Sequence, residues 1–142
     1  MENKVYKTLD DVIEELNYKV LSDVLCMAIE GIRYWGTTDY DDDAYKKAKQ
    51  HLIELGEKRP SWEEVLGQML LDGGKIHIID IEDGEDSEYT KDLTIKNLKH
   101  GIQLYILNPR YHSSGSCDWT DIDACDGDVI IQFALFDEII FG

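Results

Sequence analysis

The sequence predicts a helix-dominated α+β fold, a single compact domain over residues 1–142. Five or six helices are expected around a small antiparallel β-hairpin or three-stranded sheet. Most apolar residues recur at the i, i+3, i+4, i+7 spacing of amphipathic helices. Alternation with β-branched residues is clearest in one short stretch, Lys75–Ile81, which predicts a strand. A chain of 142 residues without repeats or a linker-like stretch has the size of one domain.

Capping residues and apolar stripes predict where the helices lie. Thr8 precedes an apolar pattern and is expected to cap a first helix. The stripe that follows predicts a second helix over about Tyr18–Ile32. Ser61 and Glu64 have the spacing of a capping box. The later helices are predicted over Ala44–Leu55, from Ser61 to the stop at Gly73-Gly74, from Thr94 to about Leu107, and over Ala124–Phe136.

The segments between these helices are predicted as a hairpin and loops. Glu88–Leu93 should return antiparallel to Lys75–Ile81 after a turn around Gly84. Glu138–Gly142 is too short for a helix, and we expect it to add a strand to the hairpin. Two polar stretches are predicted as loops, Thr37–Asp43 and Asn108–Trp119.

Two of the predicted helices contain residues that need an explanation. Gly101 should weaken its helix by about 1 kcal/mol relative to alanine. The last helix is apolar nearly all round, as expected of a central helix, yet it carries Asp128 and Gln132 on one face. We expect these two side chains to bond each other and the backbone inside the fold. The alternative is that they line a small polar site.

The charge limits the partners of this protein. Fourteen basic against 30 acidic residues leave a net charge of -16, which disfavours duplex DNA and anionic membrane surfaces. Residues 61–142 carry 17 of the acidic residues and five of the basic ones. This excess either keeps the protein soluble or forms a negative surface for a cationic partner.

The cysteines and the apolar stretches predict the cellular compartment in which the protein acts. Three cysteines form no regular framework, and Cys26 lies in an apolar run where a buried free thiol is expected. The chain starts without the apolar region of a signal peptide, and no apolar stretch approaches ~18 residues. A cytoplasmic, reduced protein is therefore expected.

Metal and catalytic motifs fit the sequence poorly. Counting an EF-hand loop from Asp121 places Cys125, Asp126 and Gln132 where an oxygen ligand, a glycine and a glutamate are needed. Cys and His residues form none of the close pairs that zinc requires. No nucleophile, metalloprotease or phosphate-loop motif occurs. A non-enzymatic protein without cofactor or metal is predicted.

Two sets of residues are candidates for binding. Aromatic residues Tyr34, Trp35, Tyr40 and Tyr45 lie near an acidic loop, and most of these rings are expected in the core. Where they are exposed, rings beside carboxylates suit arginine and lysine. Arg110, Tyr111 and Trp119 could instead pair with the phosphate and stack on the base of a nucleotide. The acidic residues predicted to contact a basic partner are Asp41, Asp42, Asp43, Glu82, Asp83, Glu85, Asp86, Asp118, Asp121 and Asp123.

Several segments resemble a group of small acidic proteins encoded by bacterial phages and prophages. They are AIEGIRYW (Ala28–Trp35), LLDGGKIHIIDIED (Leu70–Asp83), YTKDLTIKNLKHGI (Tyr89–Ile102) and IDACDGDVIIQFALFDEIIFG (Ile122–Gly142). This chain departs from the group at Asp137, where glycine is usual, and in a longer insert between Trp35 and Gly73. The resemblance implies a phage accessory protein that acts in the bacterial cytoplasm against host defence.

These observations lead to two main functional hypotheses and to a third option, a virion or assembly component. The first is a non-enzymatic inhibitor, or DNA mimic, that covers a basic surface on a host protein such as a nucleic-acid-binding defence factor. The second is a sponge for a nucleotide immune signal, a cyclic nucleotide or an ADP-ribose derivative, held by Arg110, Tyr111 and Trp119. The oligomeric state stays open, with a homo-oligomer among the alternatives.

Overall fold

The computed structural model describes residues 5–6, 16–108, 117–118 and 122–142, with side chains in the second and fourth of these ranges. They form the predicted helix-dominated α+β fold. The predicted helix after Thr8 lies outside them. The elements in chain order are β1 (Val5–Tyr6), α1 (Tyr18–Gly31), β2 (Gly36–Asp39), α2 (Asp42–Glu54), α3 (Trp62–Leu71), β3 (Ile76–Asp80), β4 (Lys91–Leu93), α4 (Ile95–Leu107), β5 (Cys117–Asp118) and α5 (Ala124–Phe136).

The predicted capping residues begin the helices as expected. Ser61 and Glu64 form a complete capping box at α3, and Thr94 forms another with Asn97 at α4. Each polar cap satisfies backbone N–H groups that have no partner within the first helical turn. The N-cap residues of the remaining helices of the described part are Asn17, Asp41 and Asp123.

Strands β2, β3 and β4 form an antiparallel sheet with β3 in the middle. The predicted hairpin between β3 and β4 is confirmed. The prediction of a loop at Thr37–Asp43 is wrong over residues 37–39, because β2 pairs Gly36–Asp39 with β3. An edge strand reading GTTD buries only its glycine, so it shows no apolar alternation.

The prediction that Glu138–Gly142 adds a strand is also wrong. This segment forms no strand and packs against the core through Ile139 and Phe141. Its backbone N–H groups at Ile140 and Phe141 bond to the Gln132 side chain. A side-chain amide therefore takes the place that a neighbouring strand would occupy.

Helix α5 lies at the centre of the fold, between α1 and α4. Its approach to both neighbours depends on glycine. A β-carbon on Gly127 would lie 2.4 Å from the Ala28 nitrogen of α1, and one on Gly101 would lie 2.4 Å from the Ile130 carbonyl oxygen of α5. The predicted weakening of α4 by Gly101 thus has a structural reason, since only glycine fits against α5.

Cys26 is exposed, so the prediction of a buried thiol is wrong. The buried stripe of α1 runs through Leu21, Val24, Leu25 and Ala28, and residue 26 lies off this stripe. The apolar residues around Cys26 concealed its position on the helix.

No helix of the described part of the chain is long and apolar enough to cross a membrane.

Replacing the contact glycines of the central helix should test its close packing. We expect Gly101→Ala and Gly127→Ala each to lower the free energy of unfolding by about 1–3 kcal/mol, because the clash outweighs the helix propensity gained. Urea unfolding measures the loss. Lys47→Ala at an exposed α2 position should change stability by less than about 0.5 kcal/mol. Stabilisation by either glycine substitution would contradict this packing.

Asp137 ends α5 in the left-handed conformation, with φ 61°. It is a non-glycine residue at a position where a β-carbon is strained. The Asp137 carboxylate pairs with the imidazole of His100 on α4. This exposed contact links the end of α5 to its neighbour.

Asp137→Gly should therefore raise the free energy of unfolding by up to about 1 kcal/mol, since relief of strain exceeds the loss of an exposed ion pair. Asp137→Ala is the matched control. It removes the same carboxylate but keeps the β-carbon, so it should be less stable than the glycine variant by about 1 kcal/mol. Thermal and urea unfolding of the two variants decide the comparison. Equal stabilities would remove backbone strain as the reason.

Candidate functional site: the acidic outer face of the sheet

The outer face of the sheet is the face that β3 turns away from the core. Ile76, Ile78 and Asp80 are buried, and the alternation places His77 and Ile79 on the outer face. His77 stands opposite Asp39 on β2 and opposite Asp92 on β4. A row of acid, histidine and acid therefore crosses all three strands.

Both ring nitrogens of His77 contact a carboxylate. Its Nδ1 lies 2.6 Å from Asp92 Oδ1, and its Nε2 lies 2.7 Å from Glu85 Oε1. Lys75 approaches the other Asp92 oxygen at 3.2 Å. The Asp92 and Glu85 carboxylates raise the pKa of His77, and the His77 bond holds the pKa of Asp92 below its ordinary value.

A hollow of about 400 Å³ lies beside this row. Its walls include Asp41, the N-cap residue of α2, and His77, which Glu85 contacts from the other predicted loop. Four carboxylates here face two basic side chains. The hollow is lined by Asp39, Tyr40, Asp41, Lys75, His77 and Asp92. We call these residues, with Glu85, the acidic sheet face.

Asp80 holds the hairpin loop between β3 and β4 from inside. Its side chain is only 3% exposed. The carboxylate accepts bonds from the Ser87 hydroxyl at 2.7 Å and the Glu82 backbone at 3.0 Å, and these bonds lower its pKa. Thr90 closes the loop by donating to the Gly84 carbonyl oxygen. A carboxylate thus orders the segment that carries four of the predicted contact residues.

Asp80, His77 and Asp92 were not among the site residues predicted from the sequence. The alternation of β3 was the available signal for Asp80, because an acid at an inward strand position needs buried partners. His77 and Asp92 gave no such signal. Only strand register makes them neighbours.

Five predicted contact residues surround the acidic sheet face. Each is exposed, and none forms an ion pair within the described part of the chain. Beyond the first turn of α2, exposed lysines Lys46, Lys47 and Lys49 end the negative surface. These five are Asp42 and Asp43 on α2 and Glu82, Asp83 and Asp86 on the hairpin loop.

The other predicted site residues are placed differently. Asp123 caps α5 by accepting from the Asp126 backbone, and its own backbone donates to the Asp126 carboxylate. No described contact joins it to the acidic sheet face. Asp118 belongs to β5, where only the backbone is described. The residues that lie outside the described part are Asp121 and the nucleotide-site candidates Arg110, Tyr111 and Trp119.

The predicted aromatic group is divided between two places. Tyr40 stacks on Tyr45 with ring centroids 5.3 Å apart, and its hydroxyl accepts from the Trp62 indole at 2.8 Å. These rings flank the hollow through Tyr40. Trp35 instead lies in the core and stacks on Phe141 at 4.5 Å. Aromatic and acidic side chains therefore adjoin at the sheet face.

Asp128 and Gln132 have the structural role that we expected. Gln132 is 1% exposed and donates to Asp128 at 2.9 Å and to the Phe141 carbonyl oxygen at 3.0 Å. The Asp128 carboxylate also accepts from the Tyr34 hydroxyl and the Trp35 indole. This network connects α5 to the end of α1. A groove of about 490 Å³ lies beside this hydrogen-bond network.

Gln132→Leu should lower the free energy of unfolding by about 2–4 kcal/mol, because it leaves the Ile140 and Phe141 N–H groups without their acceptor. Hydrogen exchange of those two amides should accelerate more than exchange in α4. Gln50→Leu is the control. Gln50 is exposed and bonds Glu54 at 3.4 Å, so its loss should cost under about 0.5 kcal/mol. Similar costs for both variants would contradict this role.

Comparisons with protein-family models, with curated proteins and with solved structures found no match to this chain. Within the described residues, no group of three or more His, Cys, Asp or Glu side chains could hold a metal ion.

Proposed function

We propose that this protein binds a basic surface on another protein through the acidic sheet face and the exposed carboxylates around it. One observation carries the proposal. Asp41 from the start of α2 lines the hollow beside His77, and Glu85 from the hairpin loop bonds that histidine, although 44 positions separate the two acids in the sequence. Two acidic segments thereby become one surface.

The electrostatics of this surface favour a cationic partner. A net charge of -16 attracts basic molecules and repels nucleic acid. Steering by such a field raises association rates, and the effect weakens as salt screens it. The Tyr40 ring beside the hollow adds a face on which a guanidinium can stack.

Folding holds these carboxylates in place before any partner arrives. Asp41 is fixed by its capping bond to the Ala44 backbone, and the hairpin loop is fixed by the buried Asp80. Carboxylates that are already positioned lose little freedom on binding. The proposed mechanism is therefore occupation of a partner's basic site by a preformed surface.

The resemblance to phage-encoded proteins suggests the nature of the partner. A bacterial defence protein that binds nucleic acid presents a basic channel, and an acidic protein can occupy that channel in place of the nucleic acid. We propose inhibition by such occupation, in the bacterial cytoplasm and without catalysis by this protein. The partner's loss of nucleic-acid binding would be the direct consequence.

Charge neutralisation tests the proposal with a fluorescent oligo-arginine peptide as the probe. Asp42→Asn/Asp43→Asn should weaken peptide binding about tenfold, or ~1.4 kcal/mol, because two uncompensated charges leave the surface. Wild-type affinity should fall steeply from about 50 mM to about 300 mM salt. Fluorescence anisotropy measures both effects.

A control with the same change in net charge makes this test specific. Glu30→Gln/Glu54→Gln also removes two exposed carboxylates. Glu54 lies about 18 Å along α2 from Asp42, and Glu30 lines the separate groove beside Gln132. This variant should bind the peptide within about twofold of wild type. Equal losses in both double variants would mean that total charge alone governs binding. An affinity independent of salt would also refute the proposal.

The nucleotide sponge stays a prediction. Its candidate residues Arg110, Tyr111 and Trp119 lie outside the described part, and no described contact favours it. Thermal-shift measurements with cyclic dinucleotides and ADP-ribose derivatives separate the two functions. Stabilisation that Arg110→Ala abolishes would support the sponge.

A further inference from the structure

His77 connects two separate elements through one ring. Asp92 holds Nδ1 from strand β4, and Glu85 holds Nε2 from the hairpin loop. The histidine itself lies on the central strand, which is the most constrained part of the sheet. Glu85 is 68% exposed and lies at the outer end of this chain of contacts. The bond between Glu85 and His77 thus ties the loop to the outer face of the sheet, whereas Asp80 holds it from the inner face.

This arrangement requires a particular protonation state. Ionised carboxylates only accept hydrogen bonds, and a neutral imidazole has one N–H donor. Only the imidazolium ion can donate to Asp92 and Glu85 at the same time. When the ring loses its proton, one of its nitrogens presents a lone pair to a carboxylate. The bond to Glu85 is the one that breaks, because Glu85 is more exposed than Asp92 and swings freely into solvent.

The charges that face His77 all favour the protonated ring except one. Asp92 contacts it from β4, Glu85 from the hairpin loop and Asp39 from the opposite position on β2. Asp41 lines the same hollow from the start of α2. Lys75 opposes protonation from the start of β3, but its ammonium group is paired with Asp92.

We propose that protonated His77 is a latch that fixes the acidic hairpin loop against the outer face of the sheet. Below the titration range of His77 the loop is held in one arrangement. Above that range Glu85 is released, while the bonds at Asp80, Ser87 and Thr90 remain. The position of the Glu85 carboxylate therefore depends on pH.

The direction in which stability changes with pH follows from the direction in which the pKa of His77 is shifted. The pKa of His77 is raised above its ordinary value of 6.5. The latch therefore contributes fully to stability below about pH 6.5, and this contribution is lost as pH rises through the higher, folded-state pKa. The consequence for partner binding rests on the proposed function, whereas the latch is a property of the protein alone.

The experiment is a titration of the isolated protein by NMR from about pH 5 to about pH 9, with no partner present. The His77 ring should titrate with a midpoint above 6.5. Glu85→Gln should lower that midpoint, and Asp92→Asn should lower it further because Asp92 makes the larger contribution. Backbone amide shifts of the hairpin loop should follow the same midpoint in the wild-type protein.

Two further variants make the outcome decisive. His77→Gln should abolish the pH dependence of the loop amide shifts, whereas His100→Gln, which removes a histidine paired on α4, should leave it unchanged. A midpoint at or below 6.5, or one that Glu85→Gln does not move, would overturn the latch. Because no partner takes part, that failure would leave the proposed binding function standing. Failure of peptide binding would likewise leave the latch standing.

Discussion

The close approach of α5 to α1 and α4 is the constraint on which the rest of the structure depends. Gly127 and Gly101 let backbone atoms meet where any side chain would collide. Gly31 does the same at the end of α1, where a β-carbon would meet the Ala124 carbonyl oxygen. Because α1 leads directly into β2, this packing also sets where the sheet begins. The acidic sheet face is therefore positioned by apolar contacts on the opposite side of the strands.

Carboxylates have three different roles in this protein. Asp80 and Asp128 are satisfied by hydrogen bonds from neutral donors inside the fold. Asp41 and Asp123 cap helices, where the positive end of the helix stabilises them. The first turn of α2 holds two more acids at that positive end. Exposed acids of the hairpin loop such as Glu82 form no ion pair within the described structure. A net charge of -16 is thus partly architectural.

Local signals predicted most of the helical part of the fold. Helix α5 was predicted at its observed bounds, and the capping box at Ser61 was predicted with both of its members. These features depend on residues within one or two turns of each other, so the sequence displays them directly. Strand β2 was missed because an edge strand of four polar or small residues is stabilised by backbone pairing with a distant segment. The position of Cys26 was missed because its neighbours are apolar on several sides of α1.

The sequence by itself determined the helix bounds, the hairpin and the excess of acid, since each depends on neighbouring residues or on composition. Only the tertiary structure decided which acids share a surface. Asp39, His77 and Asp92 meet through the register of three strands, and that register depends on burying Ile76 and Ile78 against the helices. Burial of the inner face thereby determines the outer one, because successive residues of a strand point to opposite sides.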